Sequence, residues 1–312
     1  MRPSFKVNAR SENRLTITQQ VIQQLINGIS LGSVYALIAL GYTMVYGIIR
    51  LINFAHGEVF MIGAFVGYFA ITVLGLPFIA AIIIAMVFCA ILGMIVERLA
   101  YKPLRKAHRV AALMTAVGVS MFFQNAAIAL KWIGASPKGF PRVIEVQRYH
   151  IMENVSITSD RLLTMGVALL LMFLLQFIVH KTLMGKAMRA VSLDKDTAQL
   201  MGINVDKTIS FTFALGSALA AAAGVLFALN YGVVVYQMGL LPGLKAFVSA
   251  VLGGIGIIPG AMLGGMLIGI VEVSVSAAGY SMVRDAVAFT ILILVLLVRP
   301  AGLFGKNVRE KV

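Results

Sequence analysis

The sequence predicts an all-α integral membrane protein: a polytopic helical bundle of about 8–10 crossings or half-crossings, some of them broken or re-entrant. Three observations predict it. Of the 312 residues, 60% are hydrophobic and 12% charged, whereas a soluble domain is about one-quarter charged. The apolar stretches are long and continuous, while a transmembrane barrel alternates polar and apolar positions over strands of about ten residues. The third observation is a conflict in counting crossings, which interrupted helices would resolve.

The elements follow from the uncharged stretches at 15–49, 59–96, 110–130, 162–180, 208–244, 246–271 and 286–298. A helix needs about 20 apolar residues to span the hydrocarbon, so 110–130 and 162–180 are single crossings joined by the polar segment 134–161. "LGLP" at 74–77 divides 59–96 into two spans of about 57–73 and 78–97. Four polar segments hold 18 of the 26 Lys and Arg: four in 1–20, five in 98–109, five in 181–207 and four in 299–312. Basic residues flanking spans mark the cytoplasmic side, so all four segments, and with them both termini, are expected in the cytoplasm, and 134–161 outside.

That distribution accounts for the net charge of +14 without any nucleic-acid partner. The domain reading is a cytoplasmic extension over 1–19, a transmembrane domain over 20–300 and a cytoplasmic tail over 301–312. The basic N-terminal segment has no cleavable leader pattern, so the first span serves as insertion signal. Cys89, the single cysteine, lies in an apolar run and is expected to be inert packing. Two cytoplasmic ends at 1–20 and 98–109 demand an even number of crossings between them, yet counting gives three. Either residues 20–50 hold two crossings or one segment enters and returns. Non-helical backbone at membrane depth is tolerated only where protein or a cavity surrounds it.

The two ambiguous places also carry the unusual chemistry. "LINFAHGEVF" (51–60) puts Asn53, His56, Gly57 and Glu58 between apolar stretches. "VLGGIGIIPGAMLGGMLIGI" (251–270) holds seven glycines, among them Gly253, Gly254 and Gly256, with Pro259 beside Gly260. Small residues four apart let helices approach closely, and proline breaks or kinks a helix; the glycines therefore serve close packing, or a broken helix lining a path. Ionisable groups inside a span are candidates for function. Asn53, His56 and Glu58 either tie a helix break together, contact a solute or sit at headgroup level. Glu272 is alone in its apolar run, with Lys245 and Arg284 as candidate partners.

Residues 181–207 read as a short helix with Asp194 as N-cap and Gly202 as C-cap, exposing Leu200, Met201 and Ile203 either to lipid or to a docking partner. The sequence lacks a phosphate-binding loop, a metal-ligand spacing and a nucleophile–base arrangement, so no catalytic or metal site is expected.

"GYTMVYGIIRLINFAHGEVFMIGAF", "GKAMRAVSLDKDTAQLMGINVDK", "FALGSALAAAAGVL" and "KAFVSAVLGGIGIIPGAMLGG", in this order, resemble the permeases of branched-chain amino acid ABC importers. The resemblance spans roughly 20–305 and leaves the N-terminal twenty residues outside. It implies a multi-pass subunit of the bacterial inner membrane that carries no cofactor itself. Its partners would be a homologous second permease, two cytoplasmic ATPases that bind ATP and Mg, and a periplasmic substrate-binding protein. It also implies that 185–203 couples to the ATPases, with Gly185, Arg189, Ala190, Gly202 and Ile203 as contacts. Relatives carrying urea, amides or other amino acids share these motifs. A self-sufficient secondary transporter using Glu58 and Glu272 is the rival reading, and a scaffold without transport a third.

Overall fold

The computed structural model describes residues 16–105, 107–152 and 154–305; the extension before residue 16 and the tail after 305 lie outside the described residues. Helix α1 (Ile17–Ile49) is one uninterrupted rod, started by a capping box between Thr16 and Gln19. At 1.5 Å per residue it is about 50 Å long. Residues 20–50 thus make one crossing, not two.

The chain continues through α2 (His56–Thr72), α3 (Phe78–Val96) with a π-helical extension at Glu97–Tyr101, and α4 (Arg109–Ala129). Three short strands, β1 (Lys138–Gly139) and the hairpin pair β2 (Arg148–Met152) and β3 (Val155–Thr158), fill the connection to α5 (Ser159–Lys181). Helices α6 (Leu183–Leu193) and α7 (Lys195–Leu200) follow, then α8 (Val205–Tyr231), β4 (Val233–Val234), α9 (Leu240–Gly253), α10 (Ile258–Ala277) and α11 (Arg284–Val298). Among the described residues seven helices are long and apolar enough to cross a membrane, α11 only together with the 3-10 turn Ser281–Val283 that precedes it, while α2 and α9 fall short at 17 and 14 residues. Crossings and half-crossings together match the expected range.

The two ends of α1 identify the two faces of the bundle. Near its start, Gln23 donates to the Ser156 carbonyl at 3.0 Å and accepts from the Ser156 N–H at 2.9 Å, beside the β2–β3 hairpin. Near its other end, Tyr46 and Arg50 share a cavity with Met188, Arg189 and Ser192 of α6. The start of α1 is therefore on the hairpin face, opposite 97–105 and 181–207, while the chain ends themselves lie outside the described residues. Charge alone had placed segment 1–20; its four basic residues all precede residue 16, outside the described residues. Three passes, namely α1, the non-helical segment 50–55 with α2, and α3, then satisfy parity.

Helices α1 and α8 form the buried centre, and α4 and α11 turn most of their surface outward. Two arms of like build surround that centre. A long helix (α1, α8) ends in a left-handed residue, Arg50 or Gly232. A non-helical segment then leads back into the bundle to a short helix (α2, α9), and a full-length helix follows (α3, α10). The arms run in opposite directions. Each central helix packs on the other arm: α1 on α9 and α10, α8 on α2 and α3.

The glycine-rich stretch is both closely packed and interrupted. A Cβ on Gly269 would lie 2.3 Å from the Gly32 nitrogen and one on Gly264 2.1 Å from the Ser249 carbonyl, so these positions let α10 press against α1 and α9. The helix is also broken, because α9 ends at Gly253 and α10 begins at Ile258. Pro259 sits in the first turn of α10, where its missing N–H costs nothing. Leu303 and Phe304 donate to the last carbonyls of α9, at 2.9 and 3.2 Å, satisfying groups that a helix end leaves open. Cys89 is buried, its thiol 3.7 Å from the Val59 carbonyl.

Candidate functional site

After Arg50, residues 50–55 leave helical geometry and lead back inward. Asn53 anchors this segment: its carbonyl accepts from the His56 N–H at 3.1 Å and its side chain from the Tyr101 hydroxyl at 2.7 Å. Helix α2 consequently starts well inside the bundle. The His56 ring lies against Gly41, where a Cβ would come within 2.3 Å of Nε2, and meets Tyr42 edge-on at 4.7 Å. Gly41 is about two turns up from the end of α1.

The start of α9 meets the start of α2 there. A Cβ on Gly57 would lie 2.4 Å from the Gly239 carbonyl, and one on Gly239 equally close to the Gly57 carbonyl. Two short helices, entering from opposite faces, thus bring their N-terminal ends together within the protein. Helix N-termini carry partial positive charge, and Glu58 occupies the first turn of α2. Its Oε1 accepts from Gln124 at 2.7 Å and Ser120 at 3.1 Å, both on α4, whereas Oε2 has no hydrogen-bond partner. A cavity of about 210 Å³ opens beside it, lined also by Phe54, Val117, Leu240 and Leu244.

Glu272 belongs to a different cluster. Lys245 bridges Glu272 at 2.7 Å and Asp285 at 2.6 Å, Arg284 approaches Glu272 at 3.5 Å, and the Tyr35 hydroxyl donates to it at 2.8 Å. Both partners named from the sequence are in place. Two acids and two bases cancel, so the charges are matched where unpaired burial would be costly, and the cluster ties α1, α9, α10 and α11 together. A third buried acid, Glu97, is ion-paired with Arg105 and accepts from Ser210 at 2.6 Å, fixing the π-helical segment to α8.

Gly253, Gly254 and Gly256 stand apart from Glu58, at the turn between α9 and α10. Gly254 and Gly256 have φ of +106° and +92°, which L side chains rarely adopt. Gly256 lines a cavity of about 540 Å³ with the end of α1 and with Arg189 of α6. The structure therefore connects this turn to the 181–207 segment, not to the α2–α9 junction.

In that segment Asp194 caps α7, accepting from the N–H groups of Asp196 and Thr197 at 2.9 and 3.2 Å, and Gly202 ends it at φ +82°. The Thr197 hydroxyl, then those N–H groups, hold the Asp194 carboxyl below its ordinary range. Burial, then Arg105 and Arg50, pull the Lys195 ammonium below its usual value, as a crowded basic face would. Leu193, Leu200 and Met201 project at 82%, 87% and 78% exposure, while Ile203 turns inward onto the core. Gly185 sits under the end of α5, where a Cβ would be 2.2 Å from the Val179 carbonyl, and Arg189 donates to that same carbonyl. Ala190 is half-buried. Of the five coupling candidates, then, Gly185 and Arg189 hold α6 to the bundle, and Gly202 is exposed beside the apolar knob.

Sequence reasoning passed over Ser120, Gln124, Gly239 and Leu193. The first two are polar residues one turn apart on an apolar span, and Gly239 pairs with Gly243 at the same spacing; both patterns are readable in hindsight. Among the described residues no cluster of three His, Cys, Asp or Glu could hold a metal.

A multi-pass helical membrane protein with two interrupted arms and a surface-exposed apolar knob has the build of a solute permease. The chain belongs to the family described as "Branched-chain amino acid transport system / permease component", which it matches over residues 24–296. The high-affinity branched-chain amino acid transport system permease protein BraD of Pseudomonas aeruginosa is 44% identical over 93% of this chain and 98% of its own length. The corresponding LivH protein of Escherichia coli K12 is 43% identical, covering 93% and 97%. A probable branched-chain amino acid transport permease protein LivH of Methanocaldococcus jannaschii is 29% identical over 86% and 88%.

Proposed function

We propose that this chain is the membrane-spanning permease subunit of an importer that carries leucine, isoleucine and valine into the bacterial cytoplasm, driven by ATP hydrolysed on partner subunits. The observation that carries this reading is kinship over nearly the whole chain to permeases of branched-chain amino acid transport systems. The partners are a homologous second permease, two ATPases that hold ATP and magnesium, and an external binding protein that delivers the substrate.

The α6–α7 face is the cytoplasmic one. Arg50, Arg98, Lys102, Arg105, Arg299 and the five basic residues of 181–207 lie there, against Lys131, Lys138, Arg142, Arg148 and Arg161 on the hairpin side. That excess is the charge bias of a cytoplasmic surface. Leu193, Leu200 and Met201 form the knob that an ATPase cleft receives. Because Gly185 and Arg189 clamp α6 to the end of α5, a push on the knob moves the segments around the 540 Å³ cavity, namely the end of α1 and the turn between α9 and α10. ATP binding then favours one of two membrane arrangements through contacts that differ between them.

The test is uptake of labelled leucine by proteoliposomes containing the assembled transporter and its binding protein. ATP-dependent uptake, lost together with the ATPases when Leu200 and Met201 are replaced by Asp, is the expected result. Uptake that ignores ATP and survives those replacements would refute the reading in favour of a self-sufficient transporter. Urea or amide uptake without leucine uptake would keep the class and overturn the substrate.

A further inference from the structure

Three carboxylates are buried among the described residues: Glu58, Glu97 and Glu272. Glu97 pairs with Arg105 and Glu272 with Lys245. Glu58, at 1% exposure, has no cationic partner among the described residues, and its Oε2 accepts no hydrogen bond. An acid at membrane depth is expensive unless compensated. Ser120 and Gln124 satisfy Oε1, and the convergent N-termini of α2 and α9 favour the anion. Neither supplies the donor that the buried Oε2 lacks, and Glu58 lines the cavity of about 210 Å³ together with Gly239, against which Oε2 packs. That volume is below the roughly 300–1,000 Å³ of sites for drug-sized ligands, so it suits a single small molecule. Its other walls include Phe54, Val117 and Leu244.

We infer that this cavity is where the amino acid rests within the membrane path, its α-ammonium group donating to Glu58 Oε2 and its apolar side chain lying against Phe54, Val117 and Leu244. The inference rests on the import of branched-chain amino acids proposed above and assigns that substrate its place. Oε2 lies against Gly239, where a Cβ would be 3.0 Å away, so the α-carboxylate of a bound amino acid falls beside the first turn of α9, whose dipole suits an anion. The site thus reads the zwitterion with one acid and one helix end. It sits where the two oppositely directed arms meet, the place where interrupted-helix transporters put their substrates.

The experiment measures labelled leucine binding to the complete transporter in nanodiscs, without binding protein. Competitors are 3-methylbutylamine, which keeps the ammonium group, and 4-methylpentanoate, which keeps the carboxylate. The amine should displace leucine and the acid should not. Glu58→Gln should weaken leucine binding at least tenfold, which is about 1.4 kcal/mol. Leu244→Trp narrows the apolar end and should shift preference from leucine towards alanine, a change that misfolding cannot mimic. Wild-type binding by Glu58→Gln, an acid that competes as well as the amine, or an unchanged leucine-to-alanine ratio in Leu244→Trp would each overturn the inference. If Glu58→Gln fails to assemble, the competitor pair and Leu244→Trp decide. A wild-type complex that imports leucine but binds none in this assay overturns the inference alone. One that imports no leucine overturns the function on which it rests.

Discussion

Replacing Gly57 by alanine tests the junction of α2 and α9 directly. The added Cβ would stand 2.4 Å from the Gly239 carbonyl, 1.0 Å inside the 3.4 Å at which ordinary contact begins, with Gly239 C at 3.2 Å and Gly243 Cα at 3.3 Å. All three neighbours are backbone, so no rotamer change can yield; the two helix starts must part by about an ångström. Overpacking of this kind costs about 1–3 kcal/mol. The natural control is Gly118 on α4, where a Cβ would meet nothing within 4 Å. There alanine removes the entropic penalty of a helical glycine and should stabilise by roughly 0.5–1 kcal/mol. Thermal unfolding of the purified transporter, followed by size exclusion after heating, should therefore move in opposite directions for the two variants. Gly57→Ala combined with Gly239→Ala should lose less than the sum of the two, because one separation relieves both clashes. Two alanine variants shifting alike, or strict additivity of the junction pair, would refute the close approach.

Other consequences follow from the same contacts. Lys245→Met should destabilise by about 3–5 kcal/mol, because Glu272 and Asp285 are then left to share the single, half-exposed Arg284; adding Glu272→Gln should recover much of the loss in the same melting assay. Tyr101→Phe removes the donor to Asn53 and should cost about 1–3 kcal/mol, seen as faster hydrogen exchange across 50–58. Asp194→Ala removes the cap and should loosen α7, seen as weaker ATPase retention on co-purification. The depressed Asp194 carboxyl makes this cap pH-dependent: its contribution is complete above the ordinary aspartate value of about 3.9 and fades as pH falls through the lower folded-state value. Protection of the α7 amides, relative to their intrinsic exchange rate at each pH, should thus be constant from neutral pH down to mild acid and fall only below it, and a loss of protection near neutrality would contradict the cap.

Much of the architecture is legible in one dimension because its causes are local. Crossing a bilayer demands a continuous apolar stretch, so α3, α4, α5 and α8 announce themselves. The "LGLP" turn, the Asp194 cap and the Gly202 stop depend on residues within a few positions of one another. Glycines spaced by four mark a close helix face whatever its partner. Glu272 was visible as an anomaly, and its partners could be guessed because few bases exist in apolar runs.

The remainder depends on what meets across the bundle. Charge counting put the N-terminal segment inside, but the seat of the α1 start is decided by Gln23 against Ser156, a contact 133 residues apart. Asn53, His56 and Glu58 look alike in sequence, three polar residues in a greasy stretch. Packing alone separates them: Asn53 ties down the re-entrant segment through Tyr101, His56 lies on Gly41, and Glu58 keeps one oxygen free beside a cavity. By itself the sequence determined the membrane class, most helix spans and the capped knob, since hydropathy and capping act over a few residues. Only the tertiary structure decided that α2 and α9 meet end to end, and which buried acid lacks a base, because those facts arise from helices distant in the chain competing for the same interior space.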